Sequence, residues 1–279
     1  LWTQAGPCDA SEALADFNQA IQLQPNFTDA YVNRGICYHQ QGQTELAMRD
    51  FSTAIQLEPK LVQAYFNRAT LYRKSSQLEL ALSDLEKILG LQPNFAPAYK
   101  ERGQIYEQQG QRDLAERDFN QAIHLSPTLD EAYLSRGALY QKAGQLELAL
   151  ADFNKVLELR PNSAEAYTNR AIVYKKQGQL KQALANYNQA LQLQPTLTAA
   201  YINRGILYQQ QEQFELAFQD FNKVVELAPA ESDGYYYLAL YYYHQGDKEL
   251  TLENFYKAMA IKPELAETYL DLFAPRQAQ

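Results

Sequence analysis

The 279-residue sequence has few cysteines and histidines, and this shortage excludes several classes of enzyme. The two cysteines, Cys8 and Cys37, have a spacing that suits neither a metal site nor a disulfide framework. The three histidines, His39, His124 and His244, lie far apart along the chain. No glycine-rich phosphate loop and no serine nucleophile motif is found. We therefore expect no enzymatic activity, no cofactor and no metal.

The sequence also lacks an excess of positive charge and a long apolar run. It has 25 basic and 33 acidic residues, a formal net charge of −8, whereas nucleic-acid-binding domains are typically basic. No apolar run approaches the roughly 20 residues of a membrane-spanning helix. We expect a protein or peptide partner, neutral or basic in charge, with no nucleic acid and no membrane span. The sparse cysteines fit a reducing compartment and favour a cytoplasmic location.

What the sequence does contain is a repeat of 34 residues, which is marked first by its prolines. They recur at Pro25, Pro59, Pro93, Pro127, Pro161, Pro195, Pro229 and Pro263. Within 30–59, Tyr31, Gly35 and Tyr38 lie on one helical face, at i, i+4 and i+7. A second apolar stripe follows at Ala47, Phe51, Ala54 and Ile55. Gly42 and Pro59 interrupt the two stripes. Each repeat is therefore predicted to be a pair of antiparallel helices.

The repeat also predicts the domain organisation. Residues 1–27 hold a partial N-terminal repeat, whose helix starts at a capping box of Asp9 and Glu12 and ends near Leu23. Residues 266–279 are expected to form a C-terminal capping helix, with Tyr269 in phase. Because Leu1 falls inside a repeat, we expect a fragment or processed product. The seven full repeats are 28–61, 62–95, 96–129, 130–163, 164–197, 198–231 and 232–265.

The recurring residues resemble the pattern of the tetratricopeptide repeat family. One repeat reads Tyr201, Gly205, Tyr208, Ala217, Phe221, Val224 and Pro229. The resemblance implies an all-α, right-handed superhelical solenoid of antiparallel helix pairs, in which the first helix of each pair lines a concave groove. It also implies a protein-interaction scaffold. Ser76 and Glu212 replace the glycine of the turn, and we expect local loosening there without loss of the fold.

An arginine precedes the small residue of the first helix in six repeats, and Asp or Asn follows it by 16 residues. The pairs are Arg34 and Asp50, Arg68 and Asp84, Arg102 and Asp118, Arg136 and Asp152, Arg170 and Asn186, and Arg204 and Asp220. In the seventh repeat both positions change, to Leu238 and Asn254. The joint change predicts a charge-assisted bond between the two helices, with the preceding repeat's aspartate as a second candidate partner. The alternative is that the arginines grip an acidic ligand.

Candidate binding residues lie on another face of the first helices. Asparagine recurs at one position, in Asn33, Asn67, Asn169 and Asn203, and its amide can pair with a peptide backbone of any sequence. This row resembles the asparagine ladder in the repeat region of O-linked N-acetylglucosamine transferases. Basic and aromatic candidates are Arg73, Lys74, Lys175, Lys176, Tyr236, Tyr237 and Tyr243. The alternative is an ordinary solvated surface or, for Tyr237, packing against the terminal helix.

Three hypotheses of function remain open. The first is a scaffold that binds a peptide or helix in the concave groove, and the second is a spacer or self-association module, including a homo-oligomer, within a larger protein. The third is the regulatory arm of an enzyme whose catalytic domain lies outside this chain. A carboxylate clamp for chaperone tails is not expected, because the positions that need lysine are acidic. They are Asp29, Glu131, Glu165 and Asp233.

Overall fold

The computed structural model describes residues 10–267, and this range is all-α, as predicted, with no β-strand. The helices are α1 (Ala10–Leu23), α2 (Thr28–Gln40), α3 (Thr44–Leu57), α4 (Val62–Lys74), α5 (Leu78–Leu91), α6 (Ala96–Gln108), α7 (Arg112–Leu125), α8 (Asp130–Lys142), α9 (Leu146–Leu159), α10 (Ala164–Lys176), α11 (Leu180–Leu193), α12 (Thr198–Gln210), α13 (Phe214–Leu227), α14 (Ser232–Gln245) and α15 (Lys248–Ile261). The capping residue Asp9 and nearly all of the predicted helix at 266–279 lie outside the described residues.

The chain divides into two compact parts, an N-terminal part that ends at Leu139 and a C-terminal part that begins at Tyr140. Within each part, consecutive helices pack against each other as the antiparallel pairs of a solenoid. The first helices of neighbouring pairs also touch: α2 contacts α4 and α4 contacts α6 in the N-terminal part, as α10 contacts α12 and α12 contacts α14 in the C-terminal part. Each part therefore has a continuous surface made of first helices.

The core of each pair follows from its two apolar stripes. On α3, Ala47 and Ala54 are fully buried and Phe51 is 1% exposed. The small residue of the facing helix allows close approach, because a Cβ added at Gly35 would lie 2.7 Å from the ring of Phe51. Gly103 faces Phe119 and Gly205 faces Phe221 in the same way, at 2.7 and 2.6 Å. These three glycines therefore allow a close approach between the first helix and the facing ring.

The turn between the helices of a pair needs a left-handed residue. Gly42 has a φ of 74°, and the backbone N–H of Gln43 returns to Tyr38 O at 2.8 Å, which ends the first helix. Ser76 and Glu212 keep the same turn, with φ of 59° and 60°. A residue with a Cβ is disfavoured in this region by about 1–2 kcal/mol. The repeat packing therefore holds these two residues in a strained backbone conformation.

Candidate functional site

Arginines of this row tie the two helices of their own pair together, as the spacing predicts. Through Nε and Nη2, each of four arginines donates two hydrogen bonds of 2.6–3.0 Å to the aspartate 16 residues later. They are Arg34, Arg68, Arg102 and Arg204. Arg170 donates one such bond, of 2.8 Å, to Asn186. All these acceptor residues are buried.

The third arginine nitrogen reaches the preceding pair, at a position that the sequence analysis did not identify. Nη1 of Arg34 donates to Asn18 at 2.7 Å, and Nη1 of Arg204 donates to Asn188 at 2.6 Å. The acceptor thus lies 16 residues before the arginine. It is two positions after the residue of the preceding repeat that aligns with Asp50, which for Arg34 is Asp16. Tyr31 and Tyr38 flank the guanidinium of Arg34 at 5.5 and 5.8 Å. Each of the three guanidinium nitrogens of Arg34 thus donates a hydrogen bond within the array, so this arginine type serves the fold.

The candidate binding residues lie on what we call the first-helix face of each part, the side of its first helices that carries the asparagine row. These helices are α2, α4 and α6 in the N-terminal part and α10, α12 and α14 in the C-terminal part. Asn33 is exposed on α2, while Asn67 on α4 and Asn169 on α10 are half-buried. Asn203 on α12 is also half-buried, and its amide nitrogen donates to Ala199 O of its own helix at 2.8 Å. The row is therefore accessible, although Asn203 uses part of its hydrogen-bonding capacity internally.

In the N-terminal part, this face carries a charged network. Glu101 stands at the asparagine position of α6 and is 4% exposed. Its carboxylate accepts Arg73 Nε of α4 at 2.7 Å and Lys100 Nζ at 2.6 Å. Lys100 also pairs with Glu131 of α8 at 3.1 Å. Burial alone would raise the pKa of Glu101, but Lys100 and Arg73 outweigh burial and hold that pKa below its usual value.

Arg73, which the sequence presents as a candidate for peptide binding, lies in this internal network. The sequence feature that indicates this contact is the spacing of 28 residues between Arg73 and Glu101. This spacing separates the end of one first helix from the middle of the next. Lys74 lies 3.3 Å from Nε2 of His39, 35 residues earlier. Burial, followed by the charge of Lys74, lowers the pKa of His39. The basic pair of α4 is thus engaged with its neighbours.

The basic pair of α10 is engaged differently. Lys176 donates to the backbone oxygen of Gln141 at 3.3 Å, which matches the 35-residue reach of Lys74. Lys175 is half-buried and forms no ion pair with any carboxylate among residues 10–267. Burial, followed by repulsion from Lys176, lowers the pKa of Lys175. The C-terminal part therefore holds a cation without an internal counter-charge.

The three candidate tyrosines of α14 occupy different environments. Tyr237 stacks on Phe221 of α13, with ring centroids 5.3 Å apart and an interplanar angle of 17°. Tyr236 meets Tyr237 edge-on at 5.2 Å and Phe255 of α15 at 5.7 Å. Tyr243 lies against His244 and is 44% exposed. Tyr236 and Tyr237 thus form a contiguous aromatic surface that is half-buried, while Tyr243 is the accessible ring.

The described part of the chain contains no cluster of three or more His, Cys, Asp or Glu side chains arranged to hold a metal ion. Over the same residues, no helix combines the length and the apolar character needed to cross a membrane. Among the described residues, the first-helix face presents the amides of the asparagine row, aromatic rings of α14 and the half-buried Lys175.

Comparison with known proteins identifies the repeat. Sequence profiles described as tetratricopeptide repeat match residues 5–72, 62–95, 96–129, 128–196, 163–230 and 202–266. A comparison with curated proteins gives no match. Many solved structures are similar in fold.

Three of these solved structures show the extent of the likeness. The APC/C hetero-tetramer Cut9–Hcn1 gives a TM-score of 0.75 at 18% identity, over 94% of this chain and 52% of that one. A tetratricopeptide repeat protein from Parabacteroides merdae gives 0.69 at 23%, over 88% and 98%. Yeast Tom70 gives 0.67 at 19%, over 94% and 57%. Our chain thus spans about half the length of the Cut9–Hcn1 chain.

Identities this low show the fold alone, whereas the profile matches extend over nearly the whole sequence. Repeats of this kind typically form non-catalytic scaffolds that bind protein or peptide partners. The chain belongs to the tetratricopeptide repeat family.

Proposed function

We propose that this chain is a protein-interaction scaffold that binds a peptide segment along its first-helix face, and that it is not itself an enzyme. The observation that carries the proposal is that successive first helices touch and present polar or aromatic side chains at one repeat position. In the C-terminal part, α10, α12 and α14 contact one another in that order. They present Asn169, Asn203 and Tyr237 at equivalent positions of the 34-residue repeat.

The spacing of these groups suits an extended peptide. Packed helices lie about 8–10 Å apart, and an extended chain advances about 3.3 Å per residue. One step between first helices therefore corresponds to about three peptide residues. An amide on each helix can then bond the peptide backbone once every three residues, whatever the peptide's side chains. We treat 28–265 as seven repeats, and within each compact part every contact between successive first helices supplies one such step.

The test compares two sets of asparagine variants of the full chain. The binding set changes Asn33, Asn67, Asn169 and Asn203 to alanine. The control set changes Asn26, Asn94 and Asn162, which are exposed in the loops between pairs. Peptides selected from a displayed random library on the wild-type chain serve as probes, and fluorescence anisotropy measures their Kd.

We expect the binding set to weaken Kd about tenfold or more, because several amide hydrogen bonds are lost together. The control set should leave Kd unchanged. Equal Kd for the two sets would contradict the role of the asparagine row, and a library that yields no binding peptide would contradict the scaffold proposal as a whole.

A second candidate function, self-association, rests on the second helices. Leucines at one repeat position are exposed by 40–48% on α3, α5, α9 and α13. They are Leu46, Leu80, Leu148 and Leu216. If these leucines join copies of the chain, sedimentation equilibrium should show a homo-oligomer that dissociates when Leu80 and Leu148 are changed to glutamate. A wild-type chain that remains monomeric at high concentration would eliminate this alternative.

A further inference from the structure

A basic residue at one position of the first helix has an internal carboxylate partner in the N-terminal part but not among the described residues of the C-terminal part. Arg73 and Lys175 are both in the last turn of a first helix, three repeats apart. The residue 28 positions after Arg73 is Glu101, which accepts its hydrogen bond. The residue 28 positions after Lys175 is Asn203. The N-terminal part thus neutralises its cation with its own carboxylate, and the C-terminal part has an uncharged amide there.

The neighbouring lysines show that the local geometry is shared. Lys74 and Lys176 both reach back 35 residues along the chain, to His39 and to Gln141, each at 3.3 Å. The first helices α4 and α6 touch, as do α10 and α12. Because α10 touches α12 as α4 touches α6, we infer from the shared register that Lys175 is placed toward Asn203 as Arg73 is toward Glu101.

The surroundings of Lys175 favour a bound carboxylate. A half-buried cation without a counter-ion is unfavourable, and Lys176 beside it adds a second positive charge. Ile172 of α10 and Ile206 of α12 are partly buried aliphatic side chains of the same two helices. The site therefore combines positive charge with apolar surface, although the chain as a whole has a net charge of −8. Distant acidic groups weigh little, because salt screens exposed charges beyond about 8–10 Å.

We propose that the first-helix face of α10 and α12 binds an aspartate or glutamate side chain within a partner peptide, with Lys175 as its counter-ion. The ligand carboxylate takes the place that Glu101 holds beside Arg73. This inference rests on the proposed scaffold function and adds the chemistry of the partner. It also replaces the neutral or basic partner that the overall charge favours.

The acid belongs to an internal side chain and not to a peptide C-terminus. Binding groups lie on the same helix as Lys175, at Asn169, and on the next first helices, at Asn203 and Tyr237. A peptide that continues past Lys175 can use all of these groups, whereas a terminal carboxylate would end the chain at Lys175.

The test is a selection of displayed peptides on four full-length proteins: wild type, K175M, N203E and the control K181M. Lys181 is exposed on α11, a second helix. The library carries random nine-residue segments fused at both ends, so that no terminal carboxylate is present. A second library with free C-termini is selected in parallel. Capped peptides from the wild-type selection are then measured by anisotropy, each with its acid and with the matching amide.

We expect wild type and K181M to select peptides with an acidic residue at one fixed position, flanked by apolar residues. K175M removes the counter-ion and N203E supplies an internal one, as in the N-terminal part, so both should lose this preference. Changing the peptide acid to its amide should weaken Kd about tenfold or more on wild type. On K175M the same change should alter Kd by less than about twofold, because the charge-assisted bond is already absent.

The possible failures are distinct. Enriched peptides without an acidic position would overturn the carboxylate inference and leave the scaffold function standing, whereas no enrichment at all would overturn both. Acid preference that persists in K175M, or that occurs only with free C-termini, also overturns the inference. Thermal unfolding is a further check, since K175M should keep or raise Tm by removing an unpaired half-buried charge. A clear drop in Tm would mean that Lys175 serves the fold.

Discussion

Replacing Gly103 by alanine should destabilise the protein, although alanine is the better helix former. Gly103 is buried in α6, where an added Cβ would lie 2.7 Å from Cε1 and 2.8 Å from Cδ1 of Phe119. Ordinary contact between carbon atoms begins near 3.4 Å, so the ring or the helix must shift by about 0.7 Å. Phe119 is fully buried, and close-packed cores resist such a shift.

Two opposing effects determine the change in unfolding free energy of Gly103→Ala. Glycine to alanine gains about 1 kcal/mol of helix propensity, while overpacking a core costs about 1–3 kcal/mol. The matched control is Gly90→Ala in α5, where the new Cβ has no atom within 4 Å. That variant keeps the gain and avoids the clash. The difference in unfolding free energy between the two variants, about 1–3 kcal/mol, therefore measures the steric cost alone.

Guanidinium unfolding followed by circular dichroism gives both values, provided that the slope m is unchanged. A rescue variant sharpens the test. The preceding repeat pairs Ala69 with Leu85 in the same core, so Gly103→Ala combined with Phe119→Leu copies a combination that the chain already contains. The double variant should be more stable than the sum of the single effects by about 1 kcal/mol or more. If Gly103→Ala is as stabilising as Gly90→Ala, the close approach of the glycine and the ring is not a packing requirement.

Three further predictions concern single positions. Ser76→Gly should stabilise the folded protein by about 0.5–1 kcal/mol, because it relieves the strain of a left-handed backbone at φ 59°. Gly42→Ser should lower the unfolding free energy by a similar amount. Unchanged denaturation midpoints would refute the strain. Tyr187→Phe should raise Tm, because its fully buried hydroxyl has no hydrogen-bond partner, and such a group costs about 1–3 kcal/mol; a lower Tm would mean that the hydroxyl is satisfied. Glu101→Gln should destabilise at neutral pH, since it leaves buried Lys100 with a weaker partner. The pKa of Glu101 is lowered in the folded state, so its contribution to stability is present above its unfolded pKa of about 4.3 and is lost as pH falls through the folded value. The urea midpoints of wild type and Glu101→Gln should therefore converge below about pH 4. A constant difference between the midpoints across pH would refute the ion pair.

The contacts that sequence analysis could predict are those that recur. The bond from Arg34 to Asp50 repeats in several pairs, and both of its positions change together, to Leu238 and Asn254. A joint change within one chain indicates direct contact. The third bond of the arginine was not predicted, because its acceptor lies in the preceding pair and varies between Asn18, Ser52 and their equivalents. A neutral acceptor of variable identity gives no charge pattern to follow.

Contacts that occur once could not be predicted from the repeat. Glu101 interrupts the asparagine row, and its sequence alone does not tell whether it faces solvent or a cation. Its burial depends on Arg73 of one helix and Lys100 of its own, a combination that no other repeat in the chain contains. The helical period specifies which face these residues share, but only the stacking of successive pairs specifies which side chains meet.

Packing positions and first-helix-face positions of the array differ in how strictly they repeat. Positions that pack the pairs must repeat, because every pair needs the same buried contacts to stack on the next. Positions on the first-helix face have no such requirement, so they can differ from pair to pair without loss of the fold. The exchange of Glu101 for Asn203 at one equivalent position turns a neutralised cation into an available one. We therefore propose that in this protein the departures from the repeat, and not the repeat itself, carry the chemistry of partner binding.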